Sequence, residues 1–400
     1  MNQTEVRIKS STKSSAKSVK RQQPELPYLV AVDIGFGELK RVSNVFPIPK
    51  AIPSAVAPGA KPASSKLFEL HNIDDDCLIV TTEEGTFFVG KHAMNVPSAG
   101  SKRTQVRDRA SDPMSRVLFQ TGIALSVPHE DGEYNVFVVT GLPNDDYNLS
   151  IKTNLEQFLN RSFTVQFHLS ENRTITKTIH VVGVEVLRQP EGSVTYHQFE
   201  FDMEQFLVPS PNARASVGII DFGHFTTDYA LFRDGVIIED DTVNGSTAGV
   251  TEVYNKLRRR LIVKFDQMGY EYRPTDEDLD MAVRTGKIYY INQEFDVSEE
   301  VKQSAQEVAR MIAKEILDAW GNETNRLQSI IVSGGGSYVF SEFLAEEFKA
   351  RKKQGFQIID APQFSNVIGF YMYGCVALSD NYGTSEAFGS YIKPVFVEGK

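Results

Sequence analysis

Two segments, YLVAVDIGFGELK at 28–40 and SVGIIDFGHFTTD at 216–228, share one pattern that predicts the fold. Each begins with an unbroken apolar run, continues through Asp, an apolar residue and Gly, and carries a charged residue further on. The two aspartates, Asp33 and Asp221, are 188 residues apart, about half of the 400-residue chain. An internal repeat of this size indicates a duplicated unit. It predicts two similar domains that face each other across a cleft, each with one strand–Asp-x-Gly–strand hairpin.

The rest of the sequence predicts an α/β fold. Four apolar runs rich in Val and Ile each end in a glycine turn, as buried central strands do, and they lie at 28–33, 135–140, 217–221 and 329–333. Apolar residues at three- and four-residue spacing predict a helix over 299–320, and 246–264 and 338–352 are also helical in pattern. Residues 164–201, which end in SVTYHQFEF, alternate like antiparallel strands.

Composition and charge exclude several classes of protein. Hydrophobic residues make up 41% and charged residues 24% of the chain, which is typical of globular proteins. Two cysteines cannot form a disulfide framework for 400 residues, and no Cys or His spacing indicates a zinc site. The net charge of −10 argues against a surface that coats nucleic acid. No apolar stretch has the length of a membrane span or of a signal peptide core. These features predict a cytoplasmic protein without a membrane partner.

The first 26 residues differ from the rest of the chain. They hold six basic and two acidic residues and are rich in Ser and Lys. Such a segment buries too little apolar surface to offset the entropy of ordering, so it is predicted to be a disordered tail. Two interpretations remain open: a solubilising extension, or an electrostatic contact with DNA, an anionic membrane or an acidic neighbour.

The residue types of the hairpins fit a site for nucleotide phosphates. Gly35 and Gly223 allow a tight turn and let backbone amides approach an anion. A carboxylate at a strand end repels phosphate but can hold Mg²⁺ through the water shell of the ion, so Asp33 and Asp221 are the candidate metal residues. Lys40, with the hydroxyls that follow the second glycine, supplies donors to phosphate oxygens.

A third glycine-rich segment, SGGGS at 333–337, follows a predicted strand and precedes a predicted helix. Consecutive glycines leave bare backbone against which a flat group can lie, and a helix N-terminus favours an anion. The chain has no G-x-x-x-x-G-K-[ST] motif, which excludes a P-loop ATPase, and the acidic Asp33 and the lysine at 40 do not fit a Rossmann fingerprint.

The order of these segments resembles that of the phosphate-1, phosphate-2 and adenosine motifs of the actin/Hsp70/sugar-kinase superfamily. TGLPNDDY at 140–147 resembles a segment of the ParM (StbA) family of plasmid-partitioning actins, and FSNVIGFYMYG at 364–374 resembles the closing helix of that family. The resemblance covers about 28–380. It implies an actin-like ATPase fold with two duplicated ribonuclease-H-like domains around a nucleotide cleft. Domain I is expected at 27–212 plus 364–400, and domain II at 213–363.

The resemblance also implies a set of nucleotide-binding residues. The first phosphate loop comprises Asp33, Gly35, Phe36, Gly37 and Lys40. The second comprises Asp221, Gly223, His224, Thr226, Thr227 and Asp228. The adenosine loop comprises Gly334, Gly335, Gly336 and Ser337. Phe36 and His224 depart from the family pattern, since relatives have hydroxyl residues at the first position and glycine at the second.

Hydrolysis needs a group that orients water toward the γ-phosphate. The segment VEVLRQPEGSV at 184–194 resembles the part of the family that supplies this group, so Gln189 is the first candidate and Glu191 the second. The other interpretation is that both are residues of a Q-P-E-G turn. Asp221 is expected to polarise the water from the opposite side.

The implied function is an ATPase that polymerises with Mg-ATP into dynamic filaments for plasmid segregation, with hydrolysis destabilising the filament. GTP is a possible second nucleotide. The implied partners are further copies of the chain and a ParR-like DNA-binding adaptor, without direct sequence-specific DNA binding. The alternatives are another bacterial or archaeal cytoskeletal filament, or a small-molecule kinase of the sugar or acetate type.

Overall fold

The computed structural model describes residues 26–61, 72–96, 106–202, 207–238 and 243–382. Apart from its last residue, the predicted basic tail at 1–26 lies outside the described residues.

The first half of the chain forms a nine-stranded sheet. Its strands are β1 (Tyr28–Ile34), β2 (Glu38–Ser43), β3 (Lys50–Pro53), β4 (Val56–Pro58), β5 (Leu78–Thr82), β6 (Gly85–Val89), β7 (Gly132–Leu142), β8 (Ser162–Ser170) and β9 (Arg173–Arg188). They are ordered β3-β2-β1-β7-β9-β8-β5-β6-β4. β1 is antiparallel to β2 and parallel to β7, so the sheet has a parallel centre with an antiparallel hairpin beside it.

The rest of the chain forms a smaller sheet and two strand pairs. Its strands are β10 (Phe199–Phe201), β11 (Leu207–Pro209), β12 (Val217–Phe222), β13 (Thr227–Arg233), β14 (Val236–Ile237), β15 (Asn244–Ser246), β16 (Lys287–Tyr290), β17 (Gln293–Asp296), β18 (Ser329–Ser333) and β19 (Phe356–Ile358). The sheet runs β14-β13-β12-β18-β19, with β15 also paired to β13. β10 pairs with β11, and β16 with β17.

The sheet registers show the duplication that the sequence repeat predicts. β12 is antiparallel to β13 and parallel to β18, as β1 is to β2 and β7. Asp33 pairs with Lys40 in the first hairpin, and Asp221 pairs with Asp228 in the second. The four predicted central strands are all present, and the apolar run of each is buried.

Nine α-helices in the described residues complete the two halves. They are α1 (Lys91–Met94), α2 (Pro113–Ala124), α3 (Leu149–Leu159), α4 (Gln189–Gln198), α5 (Val250–Gln267), α6 (Asp276–Thr285), α7 (Ser298–Trp320), α8 (Ser337–Ala350) and α9 (Ser365–Tyr382). The predicted helices at 299–320 and 338–352 are confirmed as α7 and α8. The helix predicted at 246–264 begins four residues later, because 244–246 pairs with β13 as β15.

The prediction of a strand over 193–201 is wrong for all but its last three residues. This segment is mostly α4, although Val194 and Thr195 favour strands intrinsically. The backbone N–H of Arg188 donates to Glu191 Oε2 at the start of α4, which satisfies a helix-end donor. Packing of α4 against α9 overrides the local preference, since a Cβ at Gly369 would overlap the carbonyl oxygen of Gly192. α4 and α9 therefore cross with their backbones in close contact at these two glycines.

Candidate nucleotide site

The two strand-end aspartates face the junction between the sheets, and each accepts a hydrogen bond from a crossing helix. The amide Nε2 of Gln189, the first residue of α4, donates to Asp33 Oδ1 at 2.8 Å. The amide Nδ2 of Asn366, in the first turn of α9, donates to Asp221 Oδ2 at 2.7 Å. Both carboxylates are buried. The duplication therefore extends from the hairpins to the side-chain amides that hold their aspartates.

Further contacts fix the Asp221 carboxylate. Ser193 Oγ donates to Asn366 Oδ1 at 2.5 Å and so orients the amide that binds Asp221. Ser333 Oγ lies 3.4 Å from Asp221 Oδ1. Burial raises the pKa of Asp221, and the nearby charge of Asp33 raises it further, whereas the Asn366 hydrogen bond and the charge of Lys40 lower it.

The arrangement of Asp33 and Asp221 fits a divalent cation bound through water. The two carboxylates are close enough for the charge of one to act on the pKa of the other. Lys40 Nζ lies 3.8 Å from Asp33 Oδ2 and partly balances this charge. In the described part of the chain, no three His, Cys, Asp or Glu side chains converge as direct metal ligands. Mg²⁺, which keeps several of its waters and binds through one or two carboxylates and substrate phosphates, suits such a pair.

The tips of the two hairpins meet at the junction. The rings of Phe36 and Phe225 pack edge to face, with centroids 5.5 Å apart. Gly37 lies so close to His224 that an added Cβ would be 3.3 Å from the Cβ of the histidine. The two turns close with equivalent hydrogen bonds, in which the N–H of Gly35 donates to Glu38 O and that of Gly223 donates to Thr226 O. Both predicted phosphate loops therefore lie side by side.

The SGGGS segment connects β18 to α8 beside Asp221. Gly334 has a φ of +84°, and a Cβ there would overlap the Asp221 carboxylate, so only glycine fits. The N–H of Gly336 donates to Phe222 O at 2.8 Å. Gly335 has open space instead, because the nearest atom to an added Cβ is Gln363 Cγ at 3.9 Å. Ser337 is the first residue of α8.

Two parts of the chain match models of actin-like protein families. A model of the N-terminal domain of actin-like proteins matches residues 31–192, and a model of the C-terminal domain of the archaeal MreB-like actin homologue matches residues 219–346. The chain belongs to the actin-like proteins.

Solved structures show the same fold for this actin-like protein. It is similar to the 15-stranded ParM filament from Clostridium botulinum, with 22% identity over 87% of this chain and 99% of that chain and a TM-score of 0.69. The actin-like protein Alp7A is 16% identical over 90% of this chain and 99% of its own, with a TM-score of 0.70. ParM from Bacillus thuringiensis with ATP is 16% identical over 88% and 99%, with a TM-score of 0.61. No curated protein sequence gives a significant match.

Some of the predicted phosphate-binding residues already have hydrogen-bond partners within the protein. Thr227 is buried, and its hydroxyl donates to Ala248 O within the second half. Thr226 Oγ1 lies 3.3 Å from Asp228 Oδ2. Asp228 Oδ1 accepts from the backbone N–H of Asn144 at 2.7 Å. Thr227 and Asp228 therefore have partners within the protein that do not involve a nucleotide.

Sequence reasoning missed the contact that Asn144 makes across the junction. Asn144 belongs to the TGLPND segment of the first half, and its Nδ2 donates to the carbonyl oxygens of Tyr229 and Asn244 at 3.1 and 2.9 Å. Together with the bond from its backbone N–H to Asp228, Asn144 joins the two halves through three hydrogen bonds. The segment was identified by its resemblance, but nothing in its sequence indicates which strand it contacts.

The two candidates for orienting water occupy different positions. Gln189 and Glu191 both lie in the first turn of α4, so they are helical residues and not part of a free turn. Gln189 reaches Asp33, whereas Glu191 Oε2 accepts from the backbone N–H of Arg188 at 2.6 Å.

Among the described helices, none is long and apolar enough to span a membrane.

Proposed function

We propose that this actin-like protein is a cytoplasmic ATPase that polymerises with Mg-ATP into filaments, which hydrolysis destabilises. The observation that carries the proposal is the pair of buried aspartates, each at the end of a duplicated strand and each held by an amide from a crossing helix. A triphosphate with its Mg²⁺ would lie between the hairpins, where groups from both halves can act on it. GTP is the second nucleotide that the site would accept.

Each predicted residue receives a role in this proposal. The first loop (Asp33, Gly35, Phe36, Gly37) and the second loop (Gly223, His224, Thr226, Thr227, Asp228) surround the phosphates, and Lys40 adds a positive charge. Asp33 and Asp221 hold Mg²⁺ through water. Gly334, Gly335, Gly336 and Ser337 form the adenosine side, where Gly335 offers the open backbone. Mg²⁺, when bound, neutralises charge on the phosphates.

We propose Gln189 in preference to Glu191 as the residue that orients the water. Its Nε2 is held by Asp33, which leaves the carbonyl oxygen Oε1 able to accept a hydrogen bond from water at the same end of β1. Glu191 instead stabilises the start of α4. Phosphoryl transfer depends on positioning and electrostatics, so a neutral amide fixed by a buried carboxylate suits this task.

We propose that the chain forms two domains, 27–212 plus 364–400 and 213–363, with a hinge between them. α9 follows the second sheet in sequence but packs on the first, where Phe370 and Tyr371 join a buried cluster with Leu29 and Val139. Closure around a nucleotide would change the surfaces that neighbouring subunits share. Nucleotide state would thereby control the lifetime of the filament.

For the cellular role we propose plasmid DNA segregation, in which a ParR-like adaptor links the filament to DNA. The support is the fold shared with ParM proteins, of which one is a 15-stranded filament and another is solved with ATP. The protein itself would make no sequence-specific DNA contact.

The test combines light scattering, negative-stain microscopy and phosphate release with Mg-ATP, Mg-ADP or ATP plus EDTA. We expect filaments with Mg-ATP and their disassembly as phosphate is released. Asp221→Asn keeps the shape and the Asn366 contact but removes the charge, so turnover should fall at least 100-fold in a folded protein. Asp318→Asn, on an exposed helix surface, is the matched control. ATP consumption without filaments that requires an added sugar or acetate would favour a kinase instead.

A further inference from the structure

The buried guanidinium of Arg109 is the group that the proposed site leaves unexplained. Arg109 lies just before α2 in the first half and is only 3% exposed. Its Nε and Nη2 atoms are buried and have no hydrogen-bond partner among the described residues. Burying an N–H group of a charged side chain without a partner is costly. A site that retains such donors is suited to a ligand that accepts from them.

The position of Arg109 associates it with the phosphate hairpins. Its Cζ lies 5.2 Å from the ring centroid of Phe36, at the tip of the first hairpin. Phe36 also packs edge to face with Phe225, from the tip of the second hairpin. Arg109 therefore lies beside the place where the two predicted phosphate loops meet.

Acidic groups surround Arg109 but do not form an ion pair with it among the described residues. Burial lowers the pKa of Arg109, while the charges of Asp146, Asp33, Asp228 and Asp112 raise it. Asp33 and Asp228 belong to opposite halves of the protein. Carboxylates of both halves therefore act on the guanidinium. Its positive charge can in turn offset the negative charge of a polyphosphate.

We propose, on the basis of the function proposed above, that Arg109 donates hydrogen bonds to the terminal phosphate of the bound nucleoside triphosphate and makes the site prefer the triphosphate to the diphosphate. A guanidinium is planar, always charged and able to donate two parallel N–H bonds to phosphate oxygens. Its contact with Phe36 fixes the plane of the group before the nucleotide arrives. This also gives Phe36, which departs from the family pattern, a physical role as a platform.

The experiment measures the affinities of the full-length chain for Mg-ATP and Mg-ADP separately, by calorimetric titration, together with the thermal unfolding midpoint. Arg109→Gln should weaken ATP binding at least 10-fold and change ADP binding less than 2-fold. Arg109→Lys retains the charge without the fork and should give an intermediate loss for ATP alone. The matched control is Arg107→Gln, in the same segment and near Asp145 and Asp146 but 65% exposed, which should leave both affinities within 2-fold.

Chemical rescue provides a readout that a structural role would not give. Added guanidinium at low millimolar concentration should restore part of the ATP affinity of Arg109→Ala and should not affect Arg107→Gln. Equal losses of ATP and ADP affinity with a lower unfolding midpoint would show that Arg109 only stabilises the fold, and would overturn the inference. An unchanged affinity ratio in Arg109→Lys and Arg109→Gln would overturn it too. If the unmodified chain binds neither nucleotide, the proposed function fails as well.

Discussion

The carboxyl group of Asp228 should make the stability of this protein depend on pH, and Asp228→Asn tests this. Asp228 lies on β13, and its Oδ1 accepts from the backbone N–H of Asn144 across the junction of the two halves at 2.7 Å. Its Oδ2 lies 3.3 Å from Thr226 Oγ1. Asparagine can reproduce both contacts, since its oxygen accepts from Asn144 and its amide donates to the threonine hydroxyl. The substitution removes the titration and little else.

The sign and size of the effect follow from the pKa. The pKa of Asp228 is raised from its ordinary 3.8 to about 8, chiefly by burial and also by the charges of Asp221 and Asp145, although the hydrogen bonds from Asn144 and Thr226 lower it. Between about pH 4 and pH 8 the folded protein keeps a proton that the unfolded chain has lost. The free energy of unfolding therefore falls as the pH rises through this window, by about 1.4 kcal/mol per pH unit for one proton.

The assay is urea denaturation of the unmodified chain and of Asp228→Asn at pH 5, 6, 7 and 8. Other groups titrate in both proteins, so the difference between the two isolates Asp228. The stability of Asp228→Asn relative to the unmodified chain should increase with pH by about 1.4 kcal/mol per unit and level off above pH 8. Asp318→Asn, on an exposed side chain, controls for the loss of one acidic residue. A difference that stays constant from pH 5 to pH 8 would refute the reasoning.

Three further predictions concern the crossing of α4 and α9 and the nucleotide site. Gly369→Ala should lower the free energy of unfolding by about 3 kcal/mol in urea denaturation, because its Cβ would overlap the backbone of Gly192; a loss under 0.5 kcal/mol would contradict this packing. Gly335→Ala should unfold normally but bind ATP at least 10-fold more weakly in calorimetric titration, since its methyl group enters open space on the adenosine side. Gln189→Ala should reduce phosphate release at least 10-fold, whereas Glu191→Ala should retain it and lose about 1 kcal/mol of stability; the reverse result would exchange their roles.

The repeated hairpins could be predicted because their signal is local. The apolar runs that end at Asp33 and Asp221 determine buried strands, and the glycines that follow determine the turns. The SGGGS loop is readable for the same reason, since Gly334 must adopt a positive φ beside Asp221. Each of these features is decided by residues within one short segment, so no knowledge of distant partners is needed.

The contacts between the halves could not be predicted, because each depends on residues far apart in sequence. Asn366 and Asp221 are separated by 145 positions, and Asn144 and Asp228 by 84. The misassigned segment at 193–201 has the same cause, since its helical form depends on α9 more than 150 residues later. One signal was available for Asn366, an amide in the largely apolar first turns of α9, where a buried polar group requires a partner.

The duplicated scaffold supports different chemistry in its two halves. Lys40 and Asp228 occupy equivalent positions, each paired across its hairpin with the strand-end aspartate. Lys40 lies 3.8 Å from Asp33 and brings positive charge to the junction, whereas Asp228 binds Asn144 and connects the halves. Lysine at both positions would place excess positive charge at the junction, and aspartate at both positions would remove the cation that lies 3.8 Å from Asp33. The different residue at this one position of the repeated hairpin therefore separates the binding of an anionic ligand from the contact that couples the two domains.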